Sequence, residues 1–137
     1  VDIIEPAGFD LSDRGLKRAG MDYVERAALR RHISFAAFEA FRAERGSRLV
    51  LLSTKAKTVY TDFAFRPDDV LLFGRESAGV PESVHQTAEA RLIVPMRPGL
   101  RSINLAMTVA MVTGEALRQT GRLPDAHAVE DDKHGIA

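Results

Sequence analysis

The sequence contains no cysteine and carries no net charge, its 19 Lys and Arg being balanced by 19 Asp and Glu. Without cysteine, a disulfide framework, a thiolate zinc site and a thiol nucleophile are all excluded. No apolar run approaches the ~20 residues of a membrane-spanning helix, and no signal-peptide pattern is visible. The expectation is a soluble, cytoplasmic protein without a membrane partner. His32, His85, His127 and His134 are scattered without a liganding spacing, so no metal site is predicted. Ser77 lacks a Gly-x-Ser-x-Gly elbow, and Gly74-x-Glu76-x-x-Gly79 matches neither the dinucleotide fingerprint nor the P-loop.

What remains is a chain of 137 residues, 45% hydrophobic, long enough to bury a core of its own. One domain is expected over residues 1–122, followed by a loose acidic tail over 123–137 that includes Glu130, Asp131 and Asp132. Val1 is not preceded by methionine, and the first four residues read as a strand already under way, which fits either a single edge strand opening the domain or a missing N-terminal segment. The neutral total conceals an uneven distribution. Residues 14–57 hold eleven Arg or Lys against four acids, an excess sufficient either for a polyanion-binding patch or for a well-solvated surface.

The pattern of elements is that of an α/β protein. A short β-prone start ends at Pro6-Ala7-Gly8, and Ser12 can cap a short helix that stops near Gly20. Ser34 can cap a helix over 35–45, in which Phe35, Phe38 and Phe41 recur along one face and are expected in the core. Continuous apolar runs at 49–53, 70–73 and 91–94 read as strands of a sheet covered on both sides. Residues 59–65 fit either a strand or an irregular crossover, and Pro81 opens a short helix reaching Thr87. A long helix begins at Ser102 or Asn104 and runs to Gln119. Its two apolar stripes, one through Leu105, Val109, Val112 and Ala116 and the other through Met107, Ala110 and Met111, imply deep burial or a second subunit.

The chemistry gathers in residues 71–115, where two strands run into polar loops, the usual place for a ligand in an open α/β sheet. Gly74 would let a ligand approach the backbone, and Glu76 offers an acceptor to a hydroxyl, amine or guanidinium. Either Ser102 or Asn104 serves as a helix cap. Both together beside Arg101 exceed what a cap requires and suit a carboxylate or phosphate at a helix N-terminus.

These loops carry a resemblance. FGRESAGVPESV is similar to the second motif, and IVPMRPGLRSINLAMTVAMVTGEALRQ to the third, of the SpoU-like branch of the SPOUT RNA 2'-O-methyltransferases. The IIEPAGF, KRAGMDY and LLSTKA segments resemble the small bacterial members acting on the ribose of the tRNA wobble nucleotide, and the likeness extends to about residue 121. It implies a Rossmann-like parallel sheet with a C-terminal deep trefoil knot, which topology rules alone would not predict. It also implies S-adenosylmethionine as cofactor, with S-adenosylhomocysteine as product, no metal, tRNA as substrate, and a homodimer through knot-region helices.

Carried over position by position, the resemblance assigns cofactor contacts to Leu52, Gly74, Val94, Met96, Ser102 and Leu105. It assigns Glu76, Ser102 and Asn104 to the catalytic site, and Lys17, Arg18, Tyr23, Arg75 and Arg101 to RNA. The family's first strand, its first motif with an arginine base candidate, and its first helix have no counterpart, a deficit of roughly 25 residues. The expected reaction is methyl transfer to the 2'-hydroxyl of the wobble cytidine or modified uridine of tRNA leucine isoacceptors. The alternative is an RNA-binding module with a degenerate cofactor pocket.

Overall fold

Among the described residues, six short strands and three helices follow from local signals of different strength. The computed structural model describes residues 1–7, 12, 14, 28–75, 78–100 and 103–126. Strands β1 (Asp2–Ile4) and β2 (Arg30–His32) form a small parallel pair, while β3 (Leu49–Leu52), β4 (Thr58–Val59), β5 (Val70–Phe73) and β6 (Ala90–Ile93) form a parallel sheet in the order β4-β6-β3-β5. The helices are α1 (Phe35–Arg45), α2 (Glu82–Thr87) and α3 (Leu105–Thr120). Of the expected helix after Ser12, Arg14 is helical and the rest lies outside the described residues, as does the tail beyond residue 126.

Strand β3 shows why its apolar run is continuous rather than alternating. Val50 belongs to one cluster, with Phe65, Leu92, Val94 and Val112, whereas Leu49 and Leu51 belong to another, with Phe38 and Ala88. Successive side chains of a strand point to opposite faces, so a sheet covered by α3 on one side and α1 on the other demands apolar residues at every position. Each fully buried Leu or Val in these clusters contributes about 1.5–3 kcal/mol. Phe38 is the core phenylalanine of α1, with Phe35 partly buried against the same cluster. Phe41 is covered instead by the guanidinium groups of Arg30 and Arg45, 4.2 and 4.4 Å from its ring centre.

Helix boundaries follow their caps. Ser34 Oγ accepts the Ala37 N–H at 3.1 Å, and α1 ends at Gly46 in the left-handed conformation. Helix α3 ends at Gly121 in the same way. Pro81 is the N-cap of α2 rather than its first helical residue. Residues 58–62 resolve as the two-residue β4 followed by a 3-10 turn. Strand β2 has no apolar periodicity in Arg30-Arg31-His32 and was not foreseeable; it exists through its pairing with β1 and the burial of His32. The His32 ring lies against Phe38 and Phe41, and its Nε2 is 2.8 Å from Asp2 Oδ1.

Charged side chains fasten the amino ends of the sheet. Arg42, buried on α1, pairs with Glu39 and with Glu89 Oε1 at 3.0 Å, and donates to the Ser47 carbonyl. Glu89 Oε2 accepts the Leu49 N–H at 2.7 Å, and the Glu89 N–H returns a bond to the Leu49 carbonyl. Arg48 meets both oxygens of Asp69 at 2.7 Å. Deep burial is not the explanation for the second stripe of α3: Met107 and Met111 are 59% and 39% exposed, while Val112 is fully buried. Among the described residues, no helix is long and apolar enough to cross a membrane.

Candidate functional site

Parallel pairing puts three strand ends side by side. Leu52 registers with Phe73 of β5 and with Leu92 of β6, so Gly74 and Val94 emerge next to the end of β3. The carboxyl edge of an open parallel sheet is where such loops form a crevice.

The first loop closes on itself. Arg75 and Gly79 exchange backbone hydrogen bonds, Gly79 N–H to the Arg75 carbonyl at 2.8 Å and Arg75 N–H to the Gly79 carbonyl at 3.3 Å. Gly79 has φ +62°, and a Cβ on Gly74 would lie 2.6 Å from the Gly79 carbonyl carbon. The sequence suggested that Gly74 makes room for a ligand. The nearest group occupying that room is the loop's own backbone, so glycine is required first for closure. Arg75 is exposed beside it, whereas Glu76 and Ser77 lie outside the described residues.

The second loop leaves β6 through buried Val94, Pro95 and half-buried Met96, turns at Gly99 with φ +92°, and returns through Ile103, which packs against the core. Asn104 is the cap: its Oδ1 accepts the Ala106 N–H at 2.9 Å, and its carbonyl accepts the Thr108 N–H at 3.0 Å. The helix N-terminus, with its partial positive charge, therefore opens at this loop. Leu105 is half-buried at the start of α3. Arg101 and Ser102 lie outside the described residues, as do Lys17, Arg18 and Tyr23. Val94 is only 8% exposed and sits in the core cluster, so a ligand would meet its backbone rather than its side chain.

Leu52, Met96 and Leu105 are half-buried at the end of β3, in the second loop and at the start of α3, beside the backbone of two loops and a helix N-terminus. That chemistry suits a flat heteroaromatic ring carrying a polar, partly anionic tail, and S-adenosylmethionine is such a molecule. Among the described residues, no group of three or more His, Asp or Glu could hold a metal.

The model of the SpoU rRNA Methylase family matches residues 1–114. The chain belongs to that family. It is 65% identical over 121 residues to the tRNA (cytidine(34)-2'-O)-methyltransferase of Beijerinckia indica, covering 88% of this chain and 76% of that protein. A solved structure from a study of 2-OH methylation of C/U34 on tRNA superposes with a TM-score of 0.78 at 43% identity, over 86% of this chain and 76% of the other. An AdoMet-bound rRNA methyltransferase from Sinorhizobium meliloti matches with a TM-score of 0.67 at 26% identity, over 74% of this chain and 39% of that one. The Rossmann-like parallel sheet is that of the SPOUT superfamily, whose members carry the C-terminal trefoil knot.

Within this family frame, one arrangement escaped the sequence reading. Ser53, just past β3, places Oγ 2.8 Å from His85 Nε2 and accepts the Lys55 N–H at 3.1 Å. The Ser53 N–H bonds the Leu92 carbonyl at 2.9 Å, and Arg91 Nε donates to the His85 carbonyl at 2.7 Å. Nothing in the spacing signals this set, because Ser53 and His85 are 32 residues apart and meet only through the pairing of β3 with β6.

Proposed function

We propose that this chain transfers a methyl group from S-adenosylmethionine to the ribose 2'-hydroxyl of the tRNA wobble nucleotide, cytidine or modified uridine, in tRNA leucine isoacceptors. The 65% identity to the Beijerinckia indica enzyme is the observation that carries this reading. A cytoplasmic setting goes with it, since tRNA is the substrate.

When bound, S-adenosylmethionine supplies an electrophilic methyl group. Leu52, Met96 and Leu105 would wall the adenosine moiety, with backbone groups of Gly74 and Val94 fixing its polar edges and Ser102 joining them. Glu76, Ser102 and Asn104 are the proposed catalytic residues, holding the ribose so that its hydroxyl is oriented for in-line attack and for loss of its proton. Arg75 and Arg101, with Lys17, Arg18 and Tyr23, are proposed to meet the RNA. The exposed Met107 and Met111 on α3 support a homodimer through this helix, whose partner would cover an apolar face.

Methyl transfer from labelled S-adenosylmethionine to total bacterial tRNA, followed by nucleotide mapping, tests the reading. Label at the ribose of position 34 in leucine tRNAs is the expected result. RNA binding without transfer, unaffected by the cofactor, would favour the degenerate RNA-binding module. Met111→Lys tests the dimer by analytical ultracentrifugation, with a shift to monomer expected.

A further inference from the structure

We infer that a recess at the outer edge of β6 is a phosphodiester-binding subsite for the RNA substrate, an inference that rests on the methyltransferase reading above. Strand β4 is two residues long and pairs only with Leu92 and Ile93, so that among the described residues no strand pairs with the outer edge of β6 before Leu92. A recess of about 450 Å³ opens there, lined by Lys55, Lys57, Thr58, Phe63, Glu89 and Arg91 among others.

The charge arrangement distinguishes this place from the rest of the basic stretch. Among the described side chains between 30 and 57, Arg30 and Arg31 meet Asp2 and Glu5, Arg42 meets Glu39 and Glu89, and Arg48 meets Asp69. Arg45 lies on Phe41. Lys55 and Lys57 are exposed, and neither ammonium forms an ion pair among the described residues. Arg91 uses Nε on the His85 carbonyl, and among the described residues its terminal nitrogens form no ion pair.

The single acid in the lining, Glu89, is bonded through both oxygens, by Arg42 and the Leu49 N–H, against three cations in the same lining, Lys55, Lys57 and Arg91. The lysine loop is also held in place. Ser53 ties it to β6 through Leu92, to α2 through His85, and to its own turn through the Lys55 N–H and the bond from Ala56 N–H to the Ser53 carbonyl. Two ammonium groups without an ion pair among the described residues, on an anchored loop beside that strand edge, form a binding site for a compact monoanion. A phosphate of an RNA backbone running along the sheet edge is that anion.

The test uses the full chain, unmodified tRNA and inorganic phosphate. The Lys55→Glu/Lys57→Glu variant is expected to bind tRNA about tenfold or more weakly at low salt, with a salt dependence shallower by about 1–2 in log–log slope. Lys55→Arg/Lys57→Arg is expected to restore both. Unchanged affinity and slope in the charge-reversed variant, while the wild type binds and methylates tRNA, would overturn the subsite and leave the function standing. So would weakened S-adenosylmethionine binding with the tRNA slope retained, which would place the lysines at the cofactor. Inorganic phosphate displacing tRNA only at millimolar concentrations supports a backbone contact, whereas free phosphate binding as tightly as tRNA overturns it. A wild type that binds no tRNA defeats both readings.

Discussion

The two ends of the same parallel strands are built by different means. At the amino ends, Arg42, Arg48, Glu89 and Asp69 form ion pairs that reach across α1, β3, β5 and β6. At the carboxyl ends, closure depends on backbone: the Arg75–Gly79 exchange, the turn at Gly99 and the Asn104 cap. Ionisation follows the same division. Arg42 is held above its ordinary pKa by its bond to Glu39, and Arg48 by its bond to Asp69. Burial acts to raise the Glu89 carboxyl, but the Leu49 N–H and Arg42 outweigh it and the net displacement is downward. Ion pairs are thus gathered at one edge, whereas the other is closed by backbone hydrogen bonds and a helix cap.

Substitutions can break this division, beginning with the largest expected effect. Arg42→Ala removes a buried guanidinium from Glu39, Glu89 and the Ser47 carbonyl. It should cost about 3 kcal/mol, the low end for a broken buried pair because its partners keep some exposure. Urea unfolding would show this loss, while S-adenosylmethionine affinity measured calorimetrically on the folded variant should be retained. Gly74→Ala should invert that result. The new methyl group would sit 2.6 Å from Gly79 backbone, forcing the loop open. About 1–2 kcal/mol of stability would be lost, with cofactor affinity falling at least about tenfold, as a loop displaced from its backbone contacts requires. A variant that keeps full affinity would show that the closed loop is irrelevant to the crevice.

Asn104 offers a finer separation, because it is both a cap and a proposed catalytic residue. Asn104→Ala should cost about 1 kcal/mol through the lost cap. Asn104→Asp preserves the acceptor, so its melting temperature should hold. A fall in kcat in that variant would then report the amide itself, and unchanged kcat would leave Asn104 as a cap alone.

The smallest effect is a pH dependence at the amino edge. Because the folded Glu89 carboxyl titrates below its ordinary range, its contribution is present above the unfolded pKa and is lost as pH falls through the folded one. Glu89→Gln should therefore be less stable than wild type at neutral pH, with the gap narrowing as pH falls below the ordinary carboxylate range and the folded carboxylate protonates. A gap independent of pH would assign the role of Glu89 to shape rather than charge.

Much of this edge-to-edge contrast was legible in the residues. The apolar runs at β3, β5 and β6 announce buried strands, and Ser34, Gly46 and Gly121 mark helix ends through interactions spanning a few residues. Other features were not. Arg30-Arg31-His32 has no strand signal, and the strand depends on Asp2 and Glu5 nearly thirty residues away. The choice between Ser102 and Asn104 as cap likewise needed the backbone, since both are good cap residues by type.

The sequence by itself determined the α/β class, the covered sheet and the two loops through short-range periodicity and turn residues, and the family through the likeness of its motifs to known members. Only the tertiary structure decided that Gly74 is needed against Gly79, that Asn104 closes the α3 N-terminus, and that Ser53 finds His85. It alone showed which described members of the basic stretch meet an acid. Composition counts charges, whereas pairing depends on which acids the fold carries within reach. Arg42, Arg48 and Arg31 acquire such partners through strand pairing and helix packing; among the described residues, Lys55 and Lys57, on a loop beyond the end of β3, do not.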